Sequence, residues 1–78
     1  MLAYPARVQA EGDGMVMLTL PDVPELVVIA ARRAEALAKA PNVLDNILAG
    51  YVLQERPLPE PSRIAGAPMV SPELYRFN

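Results

Sequence analysis

The chain has no cysteine and no histidine. The first absence excludes disulfides and thiolate metal sites. Together they remove the usual thiol and base of nucleophilic catalysis, and leave Ser62 and Ser71 as isolated loop hydroxyls. Carboxylate oxygen is the remaining way to hold a hard metal, and no cofactor is expected. Positive charge is also scarce. Seven basic residues against nine acidic ones give a net charge of −2, which supplies no attraction to nucleic acid and suits, weakly, a basic partner. The longest apolar runs, Met15–Leu18 and Leu26–Ala31, are far too short to span a membrane. No basic segment followed by a hydrophobic stretch opens the chain, so no signal peptide and no membrane partner are expected, and the cytoplasm is the default setting.

What is present is apolar: 53% of 78 residues. A domain of this size buries only roughly 60% of its unfolded surface. Its ordering cost, on the order of 100 kcal/mol, is close to what burial returns. With no disulfide to help, association with another chain is the expected extra stabiliser, either a homo-oligomer (dimer or tetramer) or a complex.

From Leu2 to Ala10 the residues alternate as a strand does. Leu2, Tyr4, Ala6, Val8 and Ala10 point one way, Arg7 and Gln9 the other. Pro5 lacks an N–H, so near it the strand either meets a neighbour on one side only or faces an open edge. Glu11-Gly12-Asp13-Gly14 reads as a hairpin turn, because its glycines reach positive φ cheaply. Met15–Leu20 is the returning strand. Pro21 and Pro24 then lock a bend, with Asp22 expected to bond the backbone two residues on. Leu26, Val27, Val28 and Ile29 form a third, wholly apolar strand, either buried or an interface edge.

Helical periodicity follows from about Ala31 to Glu55, with Ala34, Leu37, Ala38, Leu44, Ile47, Leu48, Tyr51 and Val52 on one stripe. Pro41 costs about 3 kcal/mol if one helix runs through it. The spacing predicts one helix kinked around residues 37–41, the alternative being two helices. The prolines at 57, 59 and 61 favour an extended exit. Met69–Phe77 is read as a fourth strand or as a tail ordered by a partner. The expected fold class is α+β: a three-stranded antiparallel meander with one helix on one face.

Five segments in order resemble the HicB-like antitoxins of bacterial type II toxin–antitoxin systems: the Tyr4-Pro5 strand, the Glu11–Gly14 turn, Leu20-Pro21-Asp22-Val23-Pro24, the helix opening Glu35-Ala36-Leu37-Ala38, and Arg56-Pro57-Leu58-Pro59-Glu60-Pro61-Ser62. The resemblance covers residues 1–62, and residues 63–78 form a C-terminal extension. It implies a partial RNase H-like domain of order βββαβ that binds a HicA-type mRNA-cleaving toxin and occludes its active site. Four departures stand out. Glu25 replaces the glycine usual after Pro24. The third strand runs on as Val27-Val28-Ile29-Ala30-Ala31-Arg32 without a polar helix cap. Pro41 interrupts the helix. Only 16 residues follow Ser62, fewer than the family's C-terminal DNA-binding domains need, so DNA binding by this chain is not expected.

No catalytic or metal-binding residue is assigned. An RNase H-like nuclease needs carboxylates converging on two metal ions, and the first strand carries none. Glu11, Asp13, Asp22, Glu35 and Asp45 are scattered over a turn, a bend and a helix. Pro21, Asp22 and Pro24 are read as turn-formers, Arg32-Arg33 as solvated, and Leu26–Ile29 as a protein interface. The expected role is a binding module, not an enzyme. The alternative is a stand-alone structural homo-oligomer, of bacterial or phage origin, with no toxin partner.

Overall fold

The computed structural model describes residues 2–73. It has the α+β architecture of a three-stranded antiparallel meander with one helix, plus a second, two-stranded sheet. In chain order the strands are β1 (Tyr4–Pro5), β2 (Arg7–Ala10), β3 (Val16–Leu20) and β4 (Val23–Ala30); helix α1 (Arg33–Leu53) and β5 (Met69–Val70) follow.

The first strand is divided where a single one was expected. Tyr4–Pro5 pairs with Met69–Val70, and the Ala6 N–H then donates to Pro68 O at 2.8 Å. Arg7–Ala10 pairs instead with β3. Pro5 is thus tolerated because β1 has a partner on one side only. The predicted alternation holds in part: Tyr4 and Ala6 are buried and Arg7 and Gln9 exposed, but Pro5 is buried too and Ala10, expected on the Tyr4 side, is exposed. The hairpin turn is also as expected. Gly14 takes φ 84°, and Asp13 Oδ1 accepts from the Met15 N–H at 3.0 Å.

β4 is longer than the sequence suggested, because it begins before Pro24 rather than after it. Its register explains how. Thr19 pairs with Val27 but Leu20 pairs with Val23, so Pro24, Glu25 and Leu26 lie in a bulge with no partners on β3. Past the bulge β4 alternates: Leu26, Val28 and Ala30 face the helix, while Val27 and Ile29 face out.

Helix α1 runs unbroken through Pro41, so the one-helix reading holds. Its buried line is Ala36, Ala40, Leu44, Leu48 and Tyr51, with Leu37, Val43 and Ile47 partly covered. Ala34, Ala38 and Val52, expected on that stripe, are exposed. Alanines at 34, 36, 38 and 40 leave the periodicity of the first turns undetermined. The buried set is Ala36 and Ala40, in line with Leu44 and Leu48 further along. Arg32 caps the helix without a side-chain bond, and Glu35 compensates by accepting from the Ala31 N–H at 3.3 Å.

The far end is a Schellman arrangement. Arg56 N donates to Tyr51 O and Glu55 N to Val52 O. Glu55 occupies the left-handed position at φ 56°, where glycine is usual. Asp45 was expected off the apolar stripe and is 2% exposed instead. It accepts from the Glu73 N–H at 3.1 Å and anchors the chain after β5. Part of the C-terminal extension therefore packs on the core: Val70 and Pro72 are buried. Of the fourth strand foreseen over 69–77, Met69–Val70 forms, and residues 74–77 lie outside the described part. Among the described residues, no helix is long and apolar enough to cross a membrane.

Candidate functional site

The chemistry of this surface gathers around the proline bend. Pro21 and Pro24 fix φ on either side of Asp22-Val23. Val23 is fully buried, so it roots the bend in the core. Asp22 and Glu25 are left to reach outward in different directions.

Asp22 was expected to bond two residues on. That position is Pro24, which has no N–H to offer, and the carboxylate turns elsewhere. Its Oδ2 accepts from the Ser62 N–H at 2.8 Å and its Oδ1 from the Ser62 hydroxyl at 2.6 Å. Beside this clamp the buried Tyr4 ring sends its hydroxyl to Pro59 O at 2.7 Å. Burial is the main reason the Tyr4 phenol is pushed above its ordinary pKa; the nearby Asp22 charge adds to it. The proline-rich exit is thus tied down at Pro59 and at Ser62.

Glu25 projects from the bulge toward the last turns of α1. The Tyr51 hydroxyl donates to its carboxylate, 2.8 and 2.9 Å from the two oxygens. The Arg56 guanidinium sits 3.7 Å from the same carboxylate and 4.0 Å from the Tyr51 ring centre. The Schellman turn delivers Arg56 to this place, since it follows Glu55 directly. Glu55 is the one non-glycine residue at positive φ among those described. Glu25 therefore carries no left-handed strain.

An open groove of about 230 Å³ lies here, lined by Glu25, Asn46, Gly50, Tyr51, Gln54 and Arg56 among others. Sequence reasoning missed it. Tyr51 was expected on the apolar stripe of the helix, and its ring is buried, but a buried phenol also needs a partner for its hydroxyl. That requirement was the available signal.

The hydrogen bond from Tyr51, with Arg56 as a lesser cause, holds the Glu25 carboxyl below its ordinary pKa. The same bond holds the Tyr51 phenol above its own. At neutral pH one group stays ionised and the other stays protonated. Neither is tuned to pH 7, where general acid–base catalysis is most effective. The groove offers a carboxylate, a guanidinium and two side-chain amides at a surface.

The other sequence candidates fall in separate places. Glu35 pairs with Lys39 at 3.7 Å, Asp13 holds the hairpin turn, and Asp45 anchors the chain near Glu73. Among the described residues, no group of three or more acidic side chains is placed to hold a metal ion. Arg32 and Arg33 are exposed at the helix start. Of the proposed interface residues, Leu26 and Val28 point into the core, at 0% and 5% exposure, and only Val27 and Ile29 present side chains outward. No protein-family model matches the chain. No curated protein matches it either.

Proposed function

We propose that the chain is a binding module of the HicB-like antitoxin kind, which neutralises a small HicA-type mRNA-cleaving toxin in the cytoplasm. It acts by covering the toxin's active site and does no chemistry of its own. The observation that carries this reading is the convergence at the proline bend. The Tyr4-Pro5 strand, the Leu20–Pro24 bend and the Arg56–Ser62 exit are three of the five segments behind the resemblance. Hydrogen bonds tie the exit to each of the other two, Tyr4 to Pro59 across 55 residues and Ser62 to Asp22 across 40. Segments that match a family in sequence order and also close on one another behave as one structural unit. The βββαβ order that the resemblance implies, once β1 and β2 are taken as one interrupted strand, adds support.

Co-expression with the small basic reading frame beside its gene tests the proposal. The expected result is a stable complex and relief of toxicity; no complex and unrelieved toxicity would end it. A second reading, a homo-oligomer without a toxin, is favoured by one observation. Val27 and Ile29 stand 51% and 47% exposed on the outermost strand of the described sheet.

A further inference from the structure

The meander has two edges, β2 and β4, and they are defended unequally. β2 is four residues long, follows Pro5, and carries Arg7 and Gln9. A short edge with a charge and a neighbouring proline resists pairing. β4 is eight residues long. Pro24 and the bulge protect its first part, but Leu26-Val27-Val28-Ile29-Ala30 has no proline, glycine or charge. Val27 and Ile29 lie on the sheet face opposite the helix, in register with Thr19 and Met17. Nothing in this stretch discourages an incoming strand.

Charge selects the strand. Glu25 stands just before the unguarded stretch, with its side chain 41% exposed. Arg32 and Arg33, both exposed, follow just after it. A β4 strand therefore ends at one side in an exposed carboxylate, shared with Arg56 of its own chain, and at the other in two exposed guanidinium groups. Antiparallel pairing of two such strands brings unlike ends together twice; parallel pairing would bring like charges together.

We propose that β4 pairs antiparallel with β4 of a second copy of the chain, around a two-fold axis near Val28. This places Val27 opposite Ile29 of the second copy and each Glu25 end beside the other copy's Arg32-Arg33. A two-fold antiparallel pair keeps the same faces aligned, so both helices lie on one side of a continuous six-stranded sheet. Strands in a sheet are about 4.8 Å apart. Each helix lies over β3 as well as β4, so the two helix axes come to about 10 Å, a packing distance. The inference goes beyond the antitoxin reading and stands or falls without it.

The test is sedimentation equilibrium of the full chain at tens of micromolar, at low and high salt. The wild type is expected to be a dimer. Val27→Lys and Ile29→Lys are each expected to give monomers with unchanged circular dichroism, because both side chains are exposed. Arg32→Glu places an acid near the helix N-terminus, which favours the fold. Its expected tenfold or greater loss of dimer affinity at low salt, shrinking at high salt, therefore reports on the contact. Amide exchange at residues 27–30 should slow as protein concentration rises. A monomeric wild type, or a dimer that survives both lysine variants, overturns the proposal. So does protection of these amides that appears only when a toxin is added, since the occupant would then be the toxin. Failure of the toxin co-expression experiment alone leaves the dimer prediction standing.

Discussion

Asp22 and Glu25 sit three positions apart on one bend, and each reaches a segment far along the chain. Asp22 takes the Ser62 N–H and hydroxyl with its two oxygens. Glu25 takes the Tyr51 hydroxyl and lies against Arg56. The first contact closes the fold: with the Tyr4–Pro59 bond beside it, it fixes the proline-rich exit against the body. The second decorates a surface groove next to an undefended strand edge. Asp22 lies in one of the segments that carry the proposed resemblance to HicB-like antitoxins, whereas Glu25 is one of the departures from it. Recognisable residues here hold the structure together, and the departure supplies the surface chemistry. The Asp22 contact belongs to the scaffold, and the Glu25 contact to the exposed groove.

If the Asp22 side is structural, disturbing it should cost most. Tyr4→Ala removes a fully buried ring and leaves Pro59 O without its donor, and is expected to destabilise by about 3–5 kcal/mol. That is enough to leave a domain of this size largely unfolded in thermal melts. Asp22→Ala loses both bonds to Ser62 at a solvent-facing site, for about 1–2 kcal/mol. Glu55→Gly bears on the other side and has the opposite sign. Glycine accepts the left-handed conformation that delivers Arg56, so the variant should gain about 1 kcal/mol. That is a rise in Tm of about 4–8 °C for a domain this small.

Glu25→Gln should change stability by no more than about 0.5 kcal/mol at neutral pH, because the ion pair is exposed and the amide oxygen can still accept from Tyr51. Its effect is on pH dependence. The folded carboxyl lies below its unfolded value, so its contribution is complete above about pH 4.3 and is lost as pH falls through the folded value. The Tyr51 phenol is raised, so its contribution is complete below about pH 10 and is lost as pH rises through the folded value. Denaturation midpoints taken across pH should show a shallower acid limb in the glutamine variant.

Much of the fold was legible from local chemistry. The Asp13-Gly14 turn, the alternation around Tyr4 and Arg7, and the existence of one long helix all follow from nearby residues. The buried face of the helix did not, because alanines at alternate positions fit more than one stripe. Asp45 was misplaced because its partner, the Glu73 N–H, is 28 residues away. The bulge was hidden for a related reason: where β4 resumes pairing depends on β3, not on its own sequence. One error was avoidable. The position two residues after Asp22 is a proline, so its backbone has no hydrogen to donate.

The most direct test of the division between the two carboxylates is urea denaturation of Asp22→Ala and Glu25→Gln side by side at neutral pH. With a slope of about 1 kcal/mol per molar, the midpoint should fall by about 1–2 M for Asp22→Ala and by no more than about 0.5 M for Glu25→Gln. Equal losses, or a larger loss at Glu25, would show that the bend is held from its other side and would contradict this account.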